Sequence, residues 1–184
     1  MGKPKEPSPS KLLMSLIFSN DDVLERSLHD LRQAFGEIDF MSARFPFDFT
    51  DYYEKEMGGP LFRHFITFER LISMASLPDI KKTTNHLEGL SASPEGKRRI
   101  NIDPGYLCLE HMILATTKSY THRPFLRDGI YADLTLIYRG KSFQPLEWTY
   151  PDYRQEEMIS LFNQLRQRYA DALRERNADP CSSQ

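Results

Sequence analysis

Lys11-Leu12-Leu13-Met14-Ser15-Leu16-Ile17-Phe18 (KLLMSLIF) runs directly into Ser19-Asn20-Asp21-Asp22, and the reading of this junction decides the fold class. A short apolar run bounded by turn-forming polar residues reads as a strand buried on both faces. The polar residues that follow open a helix. Asp22 with Glu25 three residues later has the chemistry of a capping box, and Leu24, Leu28, Leu31 and Phe35 form one apolar stripe that stops at Gly36. The first unit is therefore β then α.

The downstream pattern selects the α+β class. Glu37 to Phe45 reads as a second strand closed by Pro46. In Leu61 to Ile72, Phe62, His64, Ile66 and Phe68 alternate with Arg63, Phe65, Thr67 and Glu69, which makes a third strand. Pro78, after a Ser76 cap, opens a second helix with Ile80, Thr84, Leu87 and Ser91 in line. Asp103-Pro104-Gly105 has the spacing of a type II turn, and a strand from Tyr106 to Ala115 is expected after it. Gly129 to Tyr138 alternates again, and Arg139-Gly140-Lys141 turns it towards a short strand at Ser142 to Leu146. Asp152 with Gln155 caps a last helix whose stripe is Met158, Phe162, Leu165, Tyr169 and Leu173.

This order predicts an antiparallel or mixed sheet with helices on one face: a ferredoxin-like βαββαβ core extended by a β-meander and a C-terminal helix. Residues 11–176 form the expected single domain, between disordered tails at 1–10 and 177–184.

Composition removes several function classes. The chain has 184 residues, 40% of them hydrophobic, enough to bury a core without disulfide or metal support. No apolar run approaches the roughly 18 residues of a membrane span, so no membrane partner is expected. Cys108 and Cys181 are too few for a disulfide framework, which points to the reducing cytoplasm. A net charge of −2 creates no global field for nucleic acid. His29, His64, His86, His111 and His122 include no HxxxH or HExxH pair, so no metal site is expected. No cofactor is indicated, and nothing fixes the oligomeric state.

Two motifs fail on context. Gly140-Lys141-Ser142 resembles the end of a phosphate-binding loop, but Thr135 stands where that motif needs glycine and the triplet lies in a hairpin. Phe65-Ile66-Thr67-Phe68 shares the second half of an RNA-recognition strand. Phe62, Arg63 and His64 then occupy the positions that need glycine, an aromatic and a small residue, and a packed strand is the competing account.

The densest reactive run is Lys118 to Asp133. Lys118, Tyr120, His122, Arg123 and Arg127 lie near Asp128 and Asp133, the parts of an anion-binding or acid/base site. A solvated hairpin loop with surface ion pairs explains the same composition. Arg98-Arg99 with Asn101 and Asp103 form a second polar cluster, and Asp51, Tyr52, Tyr53 and Glu56 a third, whose carboxylates act as a pair or cap a helical turn. Trp148 to Arg154 offers a hydrophobic staple at a helix entry or an aromatic wall for a planar ligand.

Long strings carry a family resemblance. FPFDFTDYYEKEMG (Phe45 to Gly58), FITFERLI (Phe65 to Ile72), RRINIDPGYL (Arg98 to Leu107), LATTKSYTHRPFLRDGIYADLTLIY (Leu114 to Tyr138) and WTYPDYR (Trp148 to Arg154) resemble a bacterial family known as domain of unknown function 4416. The resemblance spans roughly Lys11 to Leu173 and implies no reaction, ligand or catalytic residue. Its strings coincide with the polar loops 51–56, 98–103 and 118–128, which are therefore expected to converge into one site. That site would hold a small anionic ligand, nucleotide-like or phosphorylated: Arg99, Lys118 and Arg123 take its charge, Tyr53, Tyr120 or Tyr131 its ring, and Asp51 joins them. If it is an enzyme, His122 is the acid/base, with Asp103 or Asp128 as its orienter. The alternative is a non-catalytic RNA- or protein-binding adaptor using the sheet face.

Overall fold

The computed structural model describes residues 2–49 and 52–178. Its elements in chain order are β1 (Ser10–Phe18), α1 (Asp21–Phe35), β2 (Ile38–Met41), β3 (Phe45–Pro46), α2 (Glu54–Met57), β4 (Phe62–Ile72) and α3 (Leu77–Leu90). Then come β5 (Ile100–Leu107), β6 (His111–Thr116), β7 (Phe125–Arg127), β8 (Ile130–Arg139), β9 (Ser142–Pro145) and α4 (Glu156–Ala178). The chain is α+β: among the described residues, four helices pack on a nine-stranded antiparallel sheet of order β2-β4-β1-β5-β6-β8-β7, with β3 on β4 and β9 on β8.

β1 is buried along its whole length, which is why its sequence lacks the polar alternation of a one-sided strand. Leu12, Met14, Leu16 and Phe18 point to the layer of α1 and α3, where they meet Leu24, Leu28, Leu31 and Ile80. Leu13 points the other way, into a core with Phe162, Leu165 and Tyr169 of α4, and Ile17 meets Phe47 and Leu61. Each such Leu, Ile or Phe contributes roughly 1.5–3 kcal/mol relative to an exposed position. α1 and α3 share one face as the core pattern implies, and the C-terminal helix covers the opposite face.

Three local readings are corrected. The α1 cap is Asn20, whose side chain accepts from Val23 N at 3.0 Å, and Asp22 lies inside the first turn. Asp152 caps nothing: it is buried in a pair with Arg63, and α4 starts after a 3-10 turn at Pro151–Arg154. Asp103-Pro104-Gly105 is the middle of β5, not a turn.

That last correction explains the shape of the sheet. β5 pairs with β1 from Ile100 to Leu107, but with β6 only over Gly105–Leu107 against Met112–Leu114. Pro104 has no N–H to offer a second neighbour. At Gly105 the β6 backbone comes so close that a Cβ would collide with Ile113 O and lie 2.8 Å from Leu114 Cδ2. The glycine is required for space. Before Gly105 the two strands part and leave a seam.

Candidate functional site

Strand register aims a set of polar side chains at the open end of the α4 face. Ile17 is level with Arg63 on β4, Ser15 with Asp103 on β5, and Leu114 with Asp133 on β8, all on the face that carries Leu13. They floor a pocket of about 390 Å³, within the range of about 300–1,000 Å³ usual for small-molecule sites. Phe47, Phe49, Tyr52 and Tyr53 wall one side, Tyr150 to Tyr153 another, and Lys118 stands among the lining residues at the rim. Phe47 and Tyr153 are buried; Phe49, Tyr52 and Tyr150 are about half exposed at the mouth.

Each floor carboxylate is held by its own cation. Asp152 accepts from Arg63 Nη1, and both side chains are about nine-tenths buried. The Arg63 guanidinium lies 4.5 Å from the Phe47 ring, 5.4 Å from Phe65 and 5.3 Å from Tyr153, and its Nε–H has no hydrogen-bond partner among the described residues. Asp103 accepts from Lys81 Nζ at 3.2 Å and from Asn101 Nδ2 at 2.7 Å. Lys81 belongs to α3 on the opposite face, so its ammonium reaches Asp103 through the seam, donating also to Ile102 O at 3.2 Å. Burial would raise the Asp103 carboxyl, but Lys81, Asn101 and Arg63 outweigh it and hold it below the ordinary carboxylate range.

Asp133 accepts from Arg123 Nε at 2.8 Å, while His122 Nε2 stands 3.6 Å from its other oxygen. Arg123 Nη2 continues to the Tyr150 hydroxyl at 2.7 Å. His122 stacks on Trp148 at 4.8 Å and 11°, and Trp148 is fixed by donating to Leu134 O at 2.8 Å. Behind the floor, burial raises Glu88 to about 7 against the opposing pull of Lys81 and the Ile102 N–H. Burial also pushes the Tyr53 and Tyr153 phenols well above their ordinary value, so both are hydroxyl donors at neutral pH.

The three predicted loops meet unevenly. Tyr53, Asp103 and Lys118 line the pocket. Arg123 and His122 stand behind it through Asp133. Tyr120 lies outside them, 65% exposed, with its ring edge-on to His122 at 5.3 Å. Tyr131 packs on Phe125 instead. Arg99 is outside the lining; its neighbour Arg98 joins the loops, gripping Glu56 at 3.0 and 2.7 Å and donating to Asn101 Oδ1 at 3.0 Å. Asp51 lies outside the described residues.

Asp128 is corrected outright. With φ 54° and Gly129 at φ 76°, it makes the two-residue turn between β7 and β8, and its carboxylate bonds Lys82 and Arg127. The carboxylate that faces His122 is Asp133. Arg63 and Asp152 had signals of a kind, a cation on the inward side of an alternating strand and an acid amid aromatics, but nothing in sequence joins them. Among the described residues, no three His, Cys, Asp or Glu side chains are grouped to hold a metal ion, and no helix is long and apolar enough to cross a membrane.

Fold and pocket together define an α+β protein built on one antiparallel sheet, with an aromatic-walled polar pocket on its α4 face. The chain belongs to the family described as a domain of unknown function, DUF4416, whose model matches residues 8–169 and so takes in every pocket residue. No curated protein and no solved structure matches it.

Proposed function

We propose that this pocket binds a small anionic ligand with a planar ring, nucleotide-like or otherwise phosphorylated. The observation that carries the reading is the position of Lys118. Asp103, Asp133 and Asp152 are each neutralised, by Lys81, Arg123 and Arg63 respectively. Lys118 has no carboxylate partner among the described residues, and its ammonium sits 5.3 Å above the Tyr52 ring at the mouth. Among the described residues one cation is in excess at the rim, which suits an anionic tail, and the aromatic walls suit a ring.

At Asp103 the pairing argues for holding a ligand over acid/base chemistry, because a carboxyl held below its ordinary range by Lys81, Asn101 and Arg63 is a good acceptor and a weak base. An RNA platform on the sheet has less support: Phe65, Ile66, Thr67 and Phe68 are all buried. The test is thermal denaturation and calorimetry against nucleoside mono- and diphosphates and inorganic phosphate. A nucleotide at a hundred times its Kd should stabilise the protein by about 2.7 kcal/mol, and Lys118→Ala should weaken it several-fold. Absence of stabilisation by any of these compounds would overturn the proposal.

A further inference from the structure

We infer that Asp133 selects the ligand's ring, and that this ring carries an exocyclic amine; the inference rests on the ligand-binding reading above. The Asp133 side chain is 5% exposed and lines the pocket floor. Its Oδ2 is occupied by Arg123 Nε at 2.8 Å. Its Oδ1 accepts no hydrogen bond among the described residues, His122 Nε2 being 3.6 Å away. A carboxylate oxygen that lines a pocket and accepts no hydrogen bond from the described residues is open to a ligand N–H.

Asp103 reinforces the preference. Its oxygens accept from Lys81 and Asn101, and each retains a second lone-pair direction. The floor therefore offers negative acceptors at two points. A ring carbonyl set against Asp133 Oδ1 would oppose acceptor to acceptor, and a C–H would leave the oxygen unsatisfied. An amine makes a charge-assisted hydrogen bond there. The ligand class is thus a nucleotide whose base bears an –NH2 group, with that group on the floor and the phosphate towards Lys118.

Two matched pairs isolate the amine. Guanosine and inosine monophosphates differ only in the 2-amino group, and adenosine and purine riboside monophosphates only in the 6-amino group. Calorimetry on the full chain should show the amino member of at least one pair binding roughly tenfold to a hundredfold tighter. In Asp133→Asn, Arg123 holds the amide oxygen and turns the –NH2 to the pocket, so the amino member of the pair should lose its advantage over its partner while circular dichroism is unchanged. Asp128→Asn, at the distant hairpin turn, should keep the preference.

Equal binding within both pairs would overturn the inference and leave the anionic-ligand reading standing. A preference that survives in folded Asp133→Asn would also overturn it, by removing Asp133 from the role. Failure of every nucleotide to bind would overturn the inference, and failure of inorganic phosphate as well would refute both readings together. The comparison within pairs on the unmodified chain needs no variant, so a misfolded Asp133→Asn leaves it decisive.

Discussion

Replacing Glu88 with glutamine should make the protein more stable as pH rises, by an amount the structure allows one to work out. Glu88 sits on α3 with 7% exposure, its Oε1 accepting from Ile102 N behind the pocket floor. Burial is the largest influence on its carboxyl and raises it; Lys81 and the Ile102 N–H pull the other way, and Asp103 adds to the rise, from an ordinary 4.5 to about 7. At about 1.4 kcal/mol per pH unit this is a penalty of about 3 kcal/mol on the ionised form. The folded chain holds its proton between pH 4.5 and about 7 while the unfolded chain has released it. The contribution is therefore fully present below pH 4.5 and is lost as pH rises through about 7. In Glu88→Gln the side-chain amide keeps the acceptor for Ile102 N and has no charge to bury. Urea unfolding of both proteins from pH 4.5 to about 8.5 should give nearly equal stabilities at the acid end and a variant more stable by up to about 3 kcal/mol at the alkaline end. A difference that does not change with pH, or a variant less stable at the alkaline end, would refute the reasoning.

Two further substitutions probe the frame of the pocket. Gly105→Ala should cost about 1–3 kcal/mol in urea unfolding, since the new methyl meets the β6 backbone and only strand displacement can admit it; a neutral result would mean that β6 does not press on that position. Asp152→Ala should cost about 3–5 kcal/mol by leaving the Arg63 guanidinium buried and unpaired, whereas combining Arg63→Met with Asp152→Leu should recover most of that stability and abolish nucleotide binding. Retained binding in the double variant would show that Arg63 is not part of the site.

The sequence disclosed what depends on local periodicity. KLLMSLIF and the stripe of α1 are one-dimensional patterns, and the structure reproduces both because each side chain's layer follows from its place in a strand or helix. Asp103-Pro104-Gly105 misled for an instructive reason: the same residues satisfy a type II turn or a strand next to a parting sheet, and only Ile113 arriving from elsewhere decides. Asp128 was misjudged through its company. The Asp-Gly dipeptide between Arg127 and Ile130 is itself a hairpin signal, and turn geometry accounts for it fully. Arg63 and Asp152 stand 89 positions apart, a pairing that no single-sequence pattern encodes. Lys81 falls outside the stripe of Ile80, Thr84, Leu87 and Ser91, and it is buried because the seam gives its ammonium somewhere to go.

The seam also has a mechanical meaning. β1 and β5 are matched at eight positions and β6 and β8 at six, while β5 and β6 share three. The sheet is thus two stiff plates joined along a short crease, with compliance concentrated where the rungs are fewest. α3 spans the crease like a tie bar: Lys81 is fastened to Asp103 on one plate, and Lys82 to Asp128 on the other. Arg63 and Asp103 ride on the first plate, Leu114 and Asp133 on the second. The pocket is therefore lined from both plates, and the Lys81 and Lys82 ion pairs that bridge them come from the far side of the sheet.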